Sequence, residues 1–249
     1  MSYAEVHFHL LPGIDDGPSS IEESIALAFA AAAEGTRTIV ATPHVHPQHV
    51  TDPRTLPDRV REVRAALATA RINVDVRCGG ELDTEMVSRL DDGQLNIIAQ
   101  GPAHRRWLLL EAPLVRGLDD DYTAAADELR ARGFAVVVAH PERALDCTEA
   151  GWRALEHELA AGSPLQVNAW SVAGFYGEQV RNIALGLLKR AGCAVLASDA
   201  HGGSRMPALK LALDALATAG IEDPTRFVAA GPNALLERGV DAGRGALAA

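Results

Sequence analysis

Apolar and polar positions along the chain switch repeatedly between two periods. Ile21, Ile25, Leu27, Phe29 and Ala32 suit the buried side of a helix that opens on the capping box Ser20-Ile21-Glu22-Glu23. Gly35 ends that helix, and residues 37–41 read as the next strand. Leu56, Val60, Val63 and Leu67 repeat the helical spacing, and residues 73–78 repeat the strand. A strand over 106–110 follows, then a helix from about 121 to 132 that stops at Gly133, then a strand over 134–139. The same grammar recurs at Gly162 with a strand over 165–167, and at Gly192 with a strand over 194–197. Leu209, Leu213 and Leu216 mark a last long helix ending at Gly220. With the opening run around Val6 and Phe8, this makes seven strands alternating with helices. Such alternation predicts parallel βαβ units in a barrel-like α/β fold.

The polar residues where the strands end change the picture. His7 and His9, two apart at the end of the first strand, point to one face. His44, Glu81, Glu111, His140, and Asp199 with His201 follow at the ends of later strands. The C-terminal ends of barrel strands are where α/β barrels assemble their sites. Unrelated polar residues would not place a metal-ligand type after six separate strands. Five histidines and at least three carboxylates exceed what one catalytic metal needs, so a bi- or trinuclear cluster is expected. Mixed imidazole and carboxylate donors suit Mn, Fe or Zn. Adjacent divalent ions activate water and clamp the oxygens of a displacement at phosphorus. Arg143, shortly after His140, and Arg205, shortly after His201, are candidates to neutralise a phosphate.

Composition narrows the function classes. The 249 residues carry a net charge of −10, which argues against nucleic acid as the main partner. The longest apolar run, residues 25–33, is Ala-rich and no membrane span is expected. The start lacks a basic, apolar signal core, so a cytoplasmic protein is expected. Residues 1–239 read as a single domain, with 240–249 a Gly/Ala-rich flexible tail. Cys78, Cys147 and Cys193 are too scattered for a disulfide framework. Cys147 to Arg153 matches the C-x5-R loop of thiol phosphatases, but Glu149 inside it and the lack of a leading strand favour a structural thiol.

In order, HFHLLPGIDDG, ATPH, GGEL, LLLEAP, AHPER and ASDAH resemble the polymerase-and-histidinol-phosphatase superfamily. More narrowly, they are similar to its bacterial manganese-dependent protein-tyrosine phosphatases of capsule and exopolysaccharide synthesis. The resemblance spans residues from about 5 to 237. It implies a distorted (β/α)7 TIM-like barrel with three divalent metal ions, manganese first and iron or zinc as alternatives. His7, His9, Glu81 and Asp199 would hold one ion. Glu81 would bridge to a second held also by Glu111 and His140, and Asp16, His44 and His201 would hold the third. Asp16 rather than Asp15 is matched within the DDG turn, leaving Asp15 a supporting carboxylate. The implied reaction is attack by a metal-bridging hydroxide on phosphotyrosine, with Arg143 steadying the phosphate and a polysaccharide-export tyrosine autokinase as the partner.

Three places depart from the family pattern. Glu5 stands where Asp is usual, Gly202-Gly203 where a polar residue is common, and Phe175 where relatives often carry Arg. The Gly pair predicts a looser loop. Trp170, Phe175 and Tyr176, close together in a chain only 4% aromatic, are either a stacking surface for a tyrosine ring or loop packing. His46 and His49 are expected at the surface or in a flap, and His104 and His157 in solvent. The rival readings are a phosphatase for histidinol phosphate or another small phosphomonoester, an amidohydrolase, and a non-catalytic binding protein. No strand ends in a lysine suited to carbamylation, which disfavours the amidohydrolase, and every expected ligand position is filled.

Overall fold

The chain follows the strand–helix alternation in a computed structural model that describes residues 2–114, 117–145 and 149–242. The strands are β1 (Tyr3–Phe8), β2 (Thr36–Ala41), β3 (His44–Val45), β4 (Asp75–Cys78), β5 (Glu81–Leu82), β6 (Trp107–Glu111), β7 (Ala135–Ala139), β8 (Leu165–Asn168) and β9 (Ala194–Ala197). All pair in parallel, as β1-β2-β4 and β3-β5-β6-β7-β8-β9. β2 and β3 are one run broken at Thr42-Pro43, and β4 and β5 one run broken at Gly79-Gly80. Pro43 has no N–H for the ladder. The neighbouring run passes too close to Gly79 and Gly80 for a side chain: a Cβ would lie 2.5 Å from Val40 Cγ1 and 2.7 Å from Val45 Cγ2. Counting each broken run once recovers the seven expected strands. The two sheets meet where Phe8 bridges Ala200, with His9 N donating to Ala200 O at 2.9 Å and Asp199 N to His7 O at 3.1 Å.

Side chains on β6, β7 and β9 alternate between two apolar clusters. Trp107, Leu109, Ala135, Val137, Ala139, Val195 and Ala197 join an inner cluster, while Leu108, Leu110, Val136, Val138 and Leu196 join the larger one under the helices. This is the alternation a sheet covered on both faces requires. On β1 the pairing register shifts between Glu5 and Phe8, and Ala4 and Val6 lie in the inner cluster whereas Phe8 lies in the outer. The shift leaves His7, not Phe8, turned toward the inward-facing Gln166 of β8.

Three expectations are corrected. Phe29 is 64% exposed, because the first helix (Ile21–Glu34) buries Ser24, Leu27, Ala28 and Ala31 and Phe29 falls beside that stripe. The helix Leu209–Thr218 is not the last. Ala230–Arg238 follows and brings Leu235 and Leu236 to the inner cluster, where Leu235 O accepts from Trp107 Nε1 at 2.9 Å. Val240 is fully buried and its N–H donates to Arg105 O, so ordered packing continues past Gly239. Cys147 lies outside the described residues, as do residues 243–249 of the expected tail. No described helix is long and apolar enough to cross a membrane.

Candidate metal centre

The loop after β1 fixes the first histidines. Gly13, in the left-handed region at φ 68°, turns the chain, and its N–H donates to Pro18 O. Asp15, fully enclosed, accepts from His9 Nδ1 at 2.7 Å, from Gly17 N at 3.0 Å and from His44 N at 3.1 Å. Gln166 Oε1 accepts from His7 Nδ1 at 2.8 Å and from the His140 backbone N–H at 3.2 Å. With Nδ1 committed as a donor in each ring, neutral His7 and His9 carry a lone pair on Nε2. Those two Nε2 atoms face each other at 3.3 Å. Two lone pairs so placed call for a cation between or beside them.

Glu81 stands at the centre. Its Oε2 lies 3.1 Å from His7 Nε2, 3.3 Å from His9 Nε2 and 3.1 Å from His44 Nδ1, and its Oε1 lies 2.8 Å from His140 Nε2. Glu111 Oε2 is 3.7 Å from His44 Nδ1. Asp16, half exposed, reaches His201 Nε2 at 3.1 Å and His44 Nε2 at 3.4 Å. Asp199 divides its oxygens. Oδ1 faces His7 Nε2 at 3.3 Å and His9 Nε2 at 3.5 Å, whereas Oδ2 receives Asn168 Nδ2 and Arg205 Nη2, both at 2.8 Å, and Arg143 Nη1 at 3.4 Å. His140 and Asp199 leave their strands in the left-handed region, at φ 32° and 49°. That conformation is costly for a non-glycine residue and is kept where the surroundings over-determine it.

The electrostatics follow from this crowding. Burial opposes charge on His7, but Glu81 and Asp199 outweigh it and lift its pKa to about 9. Burial likewise opposes charge on His44, which Glu81 and Asp16 lift to about 12. Burial would raise Glu81 too, yet the charges of His7 and His44 hold it well below the carboxylate range. Glu111, partly buried and repelled by Glu81, is pushed up to about 8. Without cations the cluster thus relies on imidazolium protons to offset its carboxylates, and divalent ions would replace those protons. Glu81 Oε2, His140 Nδ1 and His201 Nε2 are buried with no well-directed hydrogen bond. Two of these three face the cluster's donor atoms, as metal ligands do, and the oxygen and nitrogen donor set fits divalent transition metals.

The donor groups close enough to share an ion are His9, Asp16, His44 and His201; His7, His140 and Asp199; His7, His9 and Glu81; and His44, Glu81 and Glu111. Together they comprise the eight residues expected from the strand exits and Asp16, which the resemblance added, with no other described residue joining them. The grouping differs in detail from the sets the resemblance implies. His44 also sides with Glu81 and Glu111, and His140 with His7 and Asp199. His46 and His49 border the cluster without entering it: the His49 ring stacks on His44 at 5.5 Å, and both line a cavity of about 400 Å³ with Asp83, Glu111 and Leu114. His104 and His157 are exposed.

Several supporting residues stand behind the donors, and all but Glu5 escape the sequence reading. Gln166 and Asn168 are polar and fully buried, two apart on β8, and they orient His7 and Asp199. That period-2 polar pair inside an apolar strand is the signal that marks them. Glu142 is buried, which pushes its pKa up to about 7, and it accepts from the Asn168 N–H at 2.9 Å. Glu5 is buried beneath the centre, which raises its pKa to about 8, and it accepts from Ser198 N at 2.7 Å and Ser198 Oγ at 2.5 Å. Ser198 Oγ in turn accepts from Ala208 N, so Glu5 ties β1 to both ends of the loop after β9. That loop is not loose. Gly202 and Gly203 adopt positive φ, and Gly202 and Arg205 exchange backbone hydrogen bonds, returning Arg205 to Asp199.

Comparisons with known proteins agree with this geometry. The family model described as capsular polysaccharide synthesis, CpsB/CapC, matches residues 3–237. Tyrosine-protein phosphatase YwqE of Bacillus subtilis is 31% identical over 211 residues, covering 79% of this chain and 76% of its own. A solved structure from work on YwqE of Bacillus subtilis and CpsB of Streptococcus pneumoniae, described as unique metal-dependent tyrosine phosphatases, superposes with a TM-score of 0.79. It shares 26% identity and covers 94% of this chain and 93% of that one. A histidinol phosphate phosphatase of Lactococcus lactis shares the fold at a TM-score of 0.53 and 14% identity, over 89% of this chain and 95% of that one. The barrel-like parallel fold, the nine clustered donors and a family match over nearly the whole chain converge: the protein belongs to the CpsB/CapC family of capsular polysaccharide synthesis.

Proposed function

We propose that this protein is a cytoplasmic metal-dependent phosphatase that hydrolyses phosphotyrosine on a protein, with a tyrosine autokinase of polysaccharide export as its substrate. The observation that carries the reading is the convergence of nine imidazole and carboxylate donors on one centre with two arginines beside it. The similarity to tyrosine-protein phosphatases, closer than to the histidinol phosphate phosphatase, favours the protein substrate.

Three ions, manganese first, are proposed. His7, His9, Glu81 and Asp199 would hold one, Glu81, Glu111 and His140 a second, and Asp16, His44 and His201 the third. Such ions supply Lewis acidity toward phosphoryl oxygens and acidify water. The chain's own residues do the rest. Gln166 and Asp15 hold His7 and His9 with Nε2 free to ligate. Arg143 and Arg205 keep their guanidiniums partly open to solvent, where they bind the negative charge of a phosphate. A phenolate leaving group has a pKa of roughly 10, so it departs with little help from an acid.

The test is chelation and reloading. Protein stripped with chelator is expected to lose activity on phosphotyrosyl peptide and regain it with manganese, and to prefer that peptide over histidinol phosphate. Activity that survives without metal, or that Cys147→Ser abolishes with metals in place, would overturn the reading in favour of the thiol.

A further inference from the structure

The loop after β8 holds three aromatic rings in three different roles. Trp170 is an anchor: its Nε1 donates to Met206 O at 2.9 Å, and its ring packs against Phe175 at 5.0 Å between centroids. Tyr176 is a bracket. The Arg143 guanidinium lies 4.3 Å above its ring. The Tyr176 hydroxyl is itself shielded from solvent, with no hydrogen-bond partner among the described residues. Phe175 meets Tyr176 edge-on at 5.5 Å and is 57% exposed, so packing accounts for only one side of it.

The loop is also fixed in advance. Gly174 and Gly177 flank the pair at φ 88° and 94°, the Phe175 N–H donates to Trp170 O, and the Gly177 N–H donates to Gly174 O. An exposed phenyl ring is thereby presented rigidly, next to a tyrosine that touches one arginine of the centre, Arg143. Rigid presentation removes much of the ordering cost of binding.

We infer that Phe175 and Tyr176 form an aryl-recognition wall, on which the phenyl ring of an aryl phosphate stacks while Arg143 and Arg205 take its phosphoryl group. The inference rests on the phosphatase reading and deepens it, making these rings the determinants of preference for aryl over alkyl phosphate esters. Aromatic pairing beyond simple burial is worth about a three- to tenfold change in affinity.

The experiment uses two phosphonates that the enzyme cannot hydrolyse. Binding of phenylphosphonate and methylphosphonate to the manganese-loaded protein is measured by calorimetry for wild type, Phe175→Ala and Phe175→Leu. Wild type is expected to prefer the phenyl compound, Phe175→Ala to cut that preference by about three- to tenfold, and Phe175→Leu to fall between. In turnover, Phe175→Ala is expected to raise KM for phosphotyrosyl peptide more than it lowers kcat. Equal binding of the two phosphonates by wild type, or a preference untouched by Phe175→Ala, overturns the wall. A wild-type enzyme that shows the phenyl preference yet leaves phosphotyrosyl peptide intact overturns the proposed function instead.

Discussion

Asp15 Oδ2 and His9 Nδ1 meet at 2.7 Å, and the same carboxylate holds the backbone N–H groups of Gly17 and His44. Its neighbour Asp16 turns the other way, half exposed, toward His44 and His201. The two adjacent aspartates therefore have separable jobs. Asp16→Ala is expected to remove one bound ion per chain, read by elemental analysis. Asp15→Ala is expected to keep the ion count at saturating metal while weakening affinity about 10- to 100-fold. If Asp15→Ala alone lowers the count, the assignment within the turn is reversed.

Gln166 performs for His7 what Asp15 performs for His9. Gln166→Leu keeps the size and loses the acceptor, freeing the His7 ring to change tautomer. Metal affinity measured by competition with a chromophoric chelator should drop about 10- to 100-fold, with the circular dichroism spectrum unchanged. Unaltered affinity would show that packing alone orients the ring.

The buried titrating groups set a pH dependence for the metal-free protein. His7 and Glu5 have folded-state pKa values of about 9 and about 8, above their ordinary values of 6.5 and 4.5. Stability linked to each is fully present below its ordinary value and is lost as pH rises through the folded value. The Tm of chelator-treated protein should therefore fall between pH 7 and about 9.5. Glu5→Gln, which cannot ionise, should flatten part of that slope. A Tm that holds level or climbs across this window contradicts the assignment.

Gly79 marks the tightest passage in the sheet, where a methyl group would meet Val40 Cγ1 at 2.5 Å and Ala41 O at 3.2 Å. Gly79→Ala is expected to destabilise the fold by about 1–3 kcal/mol, read from denaturant unfolding. A loss near zero would mean the two runs can separate without penalty.

The candidate centre was legible because apolar runs end abruptly on His, Asp or Glu, and a strand's direction carries each such residue to one rim. The seven-strand count was legible for the same reason, although Pro43 and Gly79-Gly80 break two of the strands. What depends on a neighbour across the sheet was hidden. Gln166 and Asn168 gain meaning only when β8 lies beside the strand leading to His140 on one side and the strand leading to Asp199 on the other. Phe29 was misplaced because an Ala-rich helix lets the buried stripe be drawn at more than one angle. The helix Ala230–Arg238 went unread, since its short apolar pair Leu235-Leu236 shows no repeat until Trp107 and Val240 are seen beside it.

The junction of Phe8 with Ala200 joins β1 to the loop after β9, segments far apart in sequence, and it is there that His7 and His9 meet Asp199. Joining such distant segments carries a loop-closure cost, so the junction should form late in folding. Ions held across it would act as a clasp, present in the native state but absent from the transition state. They should slow unfolding while leaving the folding rate nearly unchanged, giving a protein whose lifetime depends on its metal supply. Faster denaturant unfolding after chelation, with unaltered refolding, is the expected kinetic signature.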